Sequence, residues 1–543
     1  MPLTLASWNL KGSKGVDTAG VVDHITAAAA DVVVLQEVQC RQARRIARLL
    51  GARSWRWGFK HWPIRTWPEG MAVIGVTRPA RVRTRAISRR WAPWSWQRRI
   101  VQIGSVELDP GRAVTLVNVH LSPHPHGTAI REVEAALVLR LVDLLRRRGH
   151  LSDDRIAAAF AAVPRELFLT AHAQRHGVAV VYRDEAIVTR RDAGTGAPLS
   201  SSSQPAIMAE MLEMAGVAPG QRVLEIGAGT GYNAALLARL AGDAGQVTSV
   251  ELDRDVAAAA RDGLRAVGAD ARVVVGDGRL GWPESAPFDV IVATASTETA
   301  PRAWFDQLRP GGRLVVPLRL SPVVFSVQAV LALRKVRHGF DMDAVTPGGF
   351  MALRSGGERS PVPTRLVAGE ATAAPADDGP LVELTGPALA GLDHDDRRRL
   401  LVTALGFGRT CNVDLGRSNP WSLVAYAALA LPEERLVECV RPRSSRDGAQ
   451  ALGVVDTVDG SLALLVASTT GARVEAYGGR GAERALAHVV DRWISDRRPG
   501  VDRLSVTIRY GAERPHGWRS VRRDDQWIAF DWLARTAPTP ARP

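Results

Sequence analysis

The chain has 543 residues, too many for one hydrophobic core, so three or four domains are expected. Hydrophobic residues make up 46% and charged residues 23%, which excludes a chain disordered throughout. The net charge of +14 resides in residues 1–150, which hold 24 Lys and Arg against 10 Asp and Glu, while the remainder balances.

That first segment also carries eight of the fifteen tryptophans, several of them between arginines over 55–99. Such interleaving can grip a phosphate backbone and stack on bases, or it can be a solvated basic face with aromatic packing behind it. Cys40, Cys411 and Cys439 make neither a metal spacing nor a disulfide framework. No apolar run reaches the length of a membrane helix and no signal-like core opens the chain, so no membrane partner and a cytoplasmic location are expected.

Residues 1–150 open with LTLASWNL, a helix at 21–30, and the strands DVVVLQEV, GMAVIGV, VQIGSVEL and AVTLVNVHL; a helix at 132–145 closes them. Trp8-Asn9, Gln36-Glu37 and Asn118-Val119-His120-Leu121 resemble the first half of the endonuclease/exonuclease/phosphatase family, a magnesium-dependent phosphodiesterase and phosphatase fold. The resemblance implies Asn9 and Glu37 near a metal, with His120 beside it. The family's G-D-x-N strand and terminal S-D-H have no counterpart before Leu151. One Asn and one Glu are too few for an oxygen-rich magnesium site, so a catalytically incomplete partial α/β sandwich is expected, with nucleic-acid binding as its alternative use. Half a sandwich leaves a sheet face or edge uncovered, and should pack on the next domain or on another copy.

In 151–355 the run 152–168 is expected as a helix closed at Pro164, with Ser152 as its cap, then a strand in VAVVYRDEAIV, then a serine-rich loop and a helix after Pro205. The segment VLEIGAGTGY comes next. Its apolar strand runs into Glu225 and then Gly227, Gly229 and Gly231, which give the backbone freedom for a strand-turn-helix that admits a nucleotide-like ligand. A dinucleotide fingerprint would need glycine where Tyr232 stands. Glu251 ends the next apolar strand, where a ribose-binding carboxylate belongs, and Asp277 lies between Gly276 and Gly278 after a third.

The run Glu225-x-Gly227-x-Gly229-x-Gly231 resembles motif I of the class I S-adenosylmethionine methyltransferases. The resemblance implies an α/β fold with a doubly wound seven-stranded sheet and S-adenosyl-L-methionine as cofactor. Glu225, Gly227, Gly229, Gly231 and Tyr232 would then line the donor turn, with Glu251 accepting from the ribose hydroxyls and Asp277 near the adenine. Val163-Pro164-Arg165 with Phe168, Tyr182 with Asp184, Ser203-Gln204-Pro205 with Ala209-Glu210-Met211, and FDQLRPGGRLVVPL resemble the protein-L-isoaspartate O-methyltransferase family. This implies methyl transfer to an isoaspartyl or aspartyl carboxylate of a protein or peptide. Ser203 inherits the catalytic position, and Ser202, Gln204 and Thr294 lie on the substrate side. Ser201 and Ser202 depart from the family, which carries Thr or Ser and then Ile there. The acceptor is ionised at neutral pH, so positioning is the main task. Ser203 also fits the N-cap of the helix after it.

Residues 356–380, rich in Pro, Ala and Gly, read as a linker, and 381–543 as an α+β domain without a metal or nucleophile constellation. Such tails resemble those of relatives that methylate a defined aspartate in a ribosomally made precursor, so peptide recognition is the expected use. Repair of aged protein and tailoring of a precursor remain two uses of one chemistry.

Overall fold

The computed structural model describes residues 3–10, 16–61, 69–86, 100–109, 112–119, 128–192, 196, 198–324, 327–355, 365–368, 382–440, 450–468 and 471–533. It comprises two compact units: Met1–Val223 with Ala228–Val275, and Leu224–Gly227 with Gly276–Pro543.

The first unit begins with two sheets. One has the strand order Leu5–Asn9, Val32–Gln39, Glu69–Gly75, Ser54–His61, and the other Ala80–Ala86, Ile100–Asp109, Arg112–Val119. VVVL supplies both faces of its strand by the two-residue period of the pleat. Val33 and Leu35 pack with Val21, Ile25, Ala43 and Ile46 from the helices Thr18–Ala27 and Cys40–Leu49. Val32 and Val34 pack with Val106 and Leu116 of the second sheet. The expected helix at 21–30 starts earlier, because Asp17 accepts from Ala19 N and caps it.

The uncovered face is met within the same unit. The helix Asp154–Ala162 packs on Ile100–Asp109 and Arg112–Val119, and also on the helix Tyr232–Ala241. Its composition, DRIAAAFAA, suits a helix enclosed on more than one side, and residues 156 to 162 are all buried. Its cap is Asp153, not Ser152: Asp153 accepts from Arg155 N, whereas Ser152 donates its hydroxyl to Glu213. As Pro164 leads one to expect, the helix closes at Ala162, and a 3-10 turn Arg165–Phe168 follows the proline. The strand expected in VAVVYRDEAIV is instead a short helix Val178–Val181 and a separate strand Ile187–Arg191. Its apolar run was too short for periodicity to separate the two forms.

Further along, Gln246–Glu251 and Arg272–Val275 pair in parallel, with the helix Arg254–Val267 between them in sequence. In the second unit the strand order is Arg222–Ile226, Phe288–Ala293, Leu308–Arg319, Gln328–Val336, Gly339–Pro347, Leu504–Tyr510, Gln526–Trp532, Arg519–Arg523. Phe288–Ala293 and Leu308–Arg319 pair in parallel and the later pairs are antiparallel, giving a mixed sheet. The sheet therefore does not end near 355: Phe340 faces Ile508 across an antiparallel register that adds three C-terminal strands. The part expected as a separate C-terminal domain is divided between this sheet and an antiparallel seven-stranded sheet, ordered Arg365–Ala368, Val382–Thr385, Leu436–Val440, Gln450–Asp456, Ser461–Ser468, Gly471–Tyr477, Arg409–Val413. Its first strand lies inside the stretch read as a linker. The helix Pro420–Ala430, buried at eight of its positions, packs on Ser461–Ser468, and Tyr426 meets Trp518 and Trp532.

Candidate active site

The strand Arg222–Ile226 delivers the chain into the glycine turn, and the helix Tyr232–Ala241 leaves it. Gly227, Gly229 and Gly231 have φ of 93°, 50° and 84°, a region that side chains disfavour. Each glycine answers a specific neighbour. A Cβ on Gly227 would stand 2.6 Å from Thr294 Oγ1, one on Gly229 3.1 Å from Ser201 O, and one on Gly231 2.9 Å from Ala260 O. The turn is thus shaped by close approach as well as by dihedral angle.

In the first unit Glu251 lies at the end of its strand, mostly buried, with Oε2 accepting from Gly229 N at 3.0 Å and Oε1 from Asp253 N at 3.2 Å. A carboxylate offers about four lone-pair sites, so capacity remains for ribose hydroxyls. Asp253 caps the helix Arg254–Val267 and is held by Arg190 at 2.7 Å. Two backbone amides and Arg190 hold its pKa below the ordinary value despite burial, which acts the other way.

Ahead of the turn, Pro198–Ser202 pairs with Ile187–Arg191 and brings the serine loop against Gly229. The helix Pro205–Ala215 begins at Gln204, which makes no side-chain cap. The cap comes from Asp184, accepting from Ala206 N at 2.8 Å, so Ser203 is free of the capping role. Beneath the loop Arg165, fully buried, donates from Nη2 to Ser203 O at 2.9 Å and lies over the Tyr232 ring at 5.4 Å. Burial lowers the pKa of Arg165, opposed by Tyr232, Tyr182 and Asp184. Its Nε and Nη1, and the buried hydroxyl of Ser202, have no hydrogen-bond partner among the described residues. Buried donors without partners are costly, so polar groups of a bound molecule or water would be welcome at this loop. Arg165 is the functional candidate that sequence reasoning passed over; it stood in the Val163-Pro164-Arg165 run, but nothing local marks an arginine as buried.

Tyr232 gives its ring to the interior, edge-on to Phe168 at 5.5 Å and Phe160 at 6.3 Å. Desolvation raises its pKa, so the phenol stays neutral. For a donor molecule it leaves the N-terminal end of its helix. In the second unit Glu225 is wholly buried. Thr294 is largely spent on the turn: its hydroxyl lies 2.9 Å from Ile226 O and 2.7 Å from Gly227 O, and its N–H donates to Ile226 O at 2.9 Å. One proton serves two carbonyls, leaving only acceptor lone pairs for a substrate. Asp277 caps the short turn Gly278–Leu280 and pairs with Arg279 at 2.8 Å.

The metal positions implied by the N-terminal resemblance, the side chains of Asn9 and Glu37, lie outside the described residues, as does His120. Asn118 is described and is structural: its Nδ2 donates to Gln102 Oε1 at 2.9 Å, and Gln102 in turn donates to Met71 O at 3.1 Å. No group of three or more His, Cys, Asp or Glu suited to a metal occurs among the described residues.

A positive-φ glycine turn between strand and helix, closed by the Glu251 carboxylate and approached by the serine loop, places the chain among S-adenosylmethionine-dependent methyltransferases. The family model for protein-L-isoaspartate(D-aspartate) O-methyltransferase matches residues 138–353. A protein-L-isoaspartate O-methyltransferase of Koribacter versatilis is 40% identical over 198 residues, covering 36% of this chain and 81% of that protein. One of Ignicoccus hospitalis is 35% identical over 214 residues, 39% of this chain and 95% of that protein. The chain belongs to the protein-L-isoaspartate O-methyltransferase family. The Thermotoga maritima relative is 44% identical over 183 residues, 34% of this chain, and the match spans 55% of that relative's length. A solved protein-L-isoaspartate O-methyltransferase aligns with 26% identity over 73% of this chain and 100% of its own, at a TM-score of 0.40. The Endonuclease/Exonuclease/phosphatase family model matches residues 6–196.

Proposed function

We propose that the chain transfers the methyl group of S-adenosylmethionine to an isoaspartyl or aspartyl carboxylate of a protein or peptide in the cytoplasm. One observation supports this most: the serine loop lies directly against the donor turn, with Ser201 O 3.1 Å from where a Cβ on Gly229 would be. A generic donor site needs no such loop. When bound, the cofactor supplies an electrophilic methyl that ends as the methyl ester of the acceptor. The residues of the chain bind and orient. The Ser203 hydroxyl, freed from capping by Asp184, donates to the carboxylate oxygen that does not attack, and Arg165 holds the Ser203 main chain in place. Glu251 accepts from the ribose while fixing the turn through Gly229 N. Charge on both reactants falls as the ester forms, so a loop of oriented donors shielded from water favours the step.

Incubation with labelled cofactor and a synthetic isoaspartyl peptide tests the reading, and base-labile label on the peptide is the expected result. Retained binding of S-adenosylhomocysteine without any methylation of that peptide would sink the repair use. Turnover of a precursor peptide under the same conditions would then establish tailoring, the use favoured by the C-terminal strands that extend the sheet.

A further inference from the structure

Side chains of the C-terminal strands hydrogen-bond to the main chain of one loop of the methyltransferase segment. This loop, 294–300, comes after Phe288–Ala293, at the carboxyl end of the strand, where ligands bind in open α/β sheets. It begins at Thr294, clamped to the carbonyls of Ile226 and Gly227 in the donor turn. Ser296 N donates to Met351 O and Leu353 N to Ser296 O, both at 2.8 Å. Thr297 N donates to Pro317 O at 3.0 Å, and Arg319 N to Thr297 O at 2.8 Å.

The far end of the loop is held by residues at least 210 positions beyond it in sequence. Gln526, almost completely buried, grips Ala300 as a β-strand would: its Oε1 accepts from Ala300 N and its Nε2 donates to Ala300 O, both at 3.0 Å. Tyr510 Oη donates to the same carbonyl at 2.7 Å. Burial raises the pKa of Tyr510, so this donor is present throughout the physiological range. Its ring is fixed by Phe305, with centroids 4.9 Å apart, and by the Arg302 guanidinium 5.0 Å from its centroid. Arg523 donates to Glu298 O at 3.1 Å, Arg319 O at 2.8 Å and Leu320 O at 2.9 Å. A buried guanidinium satisfied by three carbonyls of two segments locks their relative position.

We propose that Tyr510, Gln526 and Arg523 are positioning residues for the acceptor side of methyl transfer, acting through loop 294–300. The loop runs without a break from the donor turn to these three side chains. Within the second unit the geometry of the loop is set at one end by Ile226 and Gly227 and at the other by the C-terminal strands. This rests on the reading of the site above, and makes the extension part of the acceptor machinery rather than an appended module.

The test compares the full-length protein with Gln526→Met and Tyr510→Phe, which keep the packing shape and remove the polar ends. Steady-state kinetics with an isoaspartyl peptide, calorimetry with S-adenosylhomocysteine, and peptide-resolved hydrogen exchange across 294–301 are measured. Gln526→Met should raise the acceptor KM roughly tenfold, the equivalent of one lost hydrogen bond, with Tyr510→Phe smaller. In both variants S-adenosylhomocysteine affinity should stay at the wild-type value and the Ala300 amide should exchange faster. A merely structural role would lower the active fraction, and hence kcat, with KM unchanged, and that pattern overturns the proposal. If the wild-type protein binds S-adenosylhomocysteine but methylates no isoaspartyl peptide, the functional reading fails separately. The positioning claim is then decided with an aspartyl precursor peptide as acceptor: a raised KM in Gln526→Met with cofactor affinity kept supports it, and an unchanged KM or no turnover overturns it.

Discussion

Ser203 and Arg165 divide one task between a side chain and a main chain. Arg165 donates to Ser203 O, and Asp184 takes the helix cap, so the Ser203 hydroxyl is spent on neither; in the proposed reaction it serves the acceptor. Ser203→Ala should lower kcat/KM for the isoaspartyl peptide by about 10- to 100-fold, the worth of one charge-assisted hydrogen bond, while S-adenosylhomocysteine affinity and melting temperature stay near wild type. A parallel loss of cofactor affinity would show that the serine serves the donor instead. At the turn the order of severity is set by the neighbours. Gly227→Ala meets Thr294 Oγ1 at 2.6 Å, and Gly229→Ala meets Ser201 O at 3.1 Å. Both also incur the cost of an L-residue at positive φ, roughly 1–2 kcal/mol. Calorimetry should find cofactor binding weakened in both, more for Gly227→Ala. The glycines, Glu251 and the serine loop were legible because each requirement is local: a dihedral angle, a strand end, a proline that opens a helix. Arg165 was not, because its burial is decided by Tyr232, 67 positions along the chain.

Elements were legible where the pattern was long and ambiguous where it was short. VVVL gave its strand by period, and the helix at 132–145 was found within Thr128–Arg147, whereas VAVV folded as a helical turn against the expected strand. The strands 504–532 were assigned to a separate domain because local pattern carries no register, and their partner Gly339–Pro347 lies across the low-complexity stretch. One element contact has a pH signature. Asp31 accepts from Thr4 N at 2.9 Å, and Thr77 also donates to it. The amide of Thr4 foremost, then the Thr77 hydroxyl and Arg78, hold its pKa below the ordinary 3.8. A depressed carboxylate contributes stability that is complete above the unfolded value and is lost as pH falls through the folded one. Acid titration of the unfolding midpoint should therefore show a loss below about pH 4 that Asp31→Asn reduces. An unchanged acid limb in the variant would remove Asp31 as its source.

At the scale of the molecule the question is whether residues 1–127 are a passenger or a structural part of the methyltransferase. Charge argued for an independent role, since all the excess of +14 lies in the first 150 residues. Packing within the first unit argues otherwise. The helix Asp154–Ala162 is enclosed by the strands Ile100–Asp109 and Arg112–Val119 as well as by Tyr232–Ala241, and Arg146 donates to Thr115 Oγ1 at 2.8 Å. Asn118, read in sequence as part of a phosphodiesterase motif, is consumed in an amide network with Gln102 that stitches the sheets. Removing residues 1–127 would expose the apolar flank of a helix on which the donor-site helix also rests. The truncated protein should accordingly melt several degrees lower, with methyl transfer reduced in proportion to its folded fraction. The intact chain should show no magnesium-dependent phosphodiester hydrolysis. Unchanged melting and turnover after truncation would make the segment a passenger. Hydrolysis abolished by Glu37→Gln would restore to it a chemistry of its own.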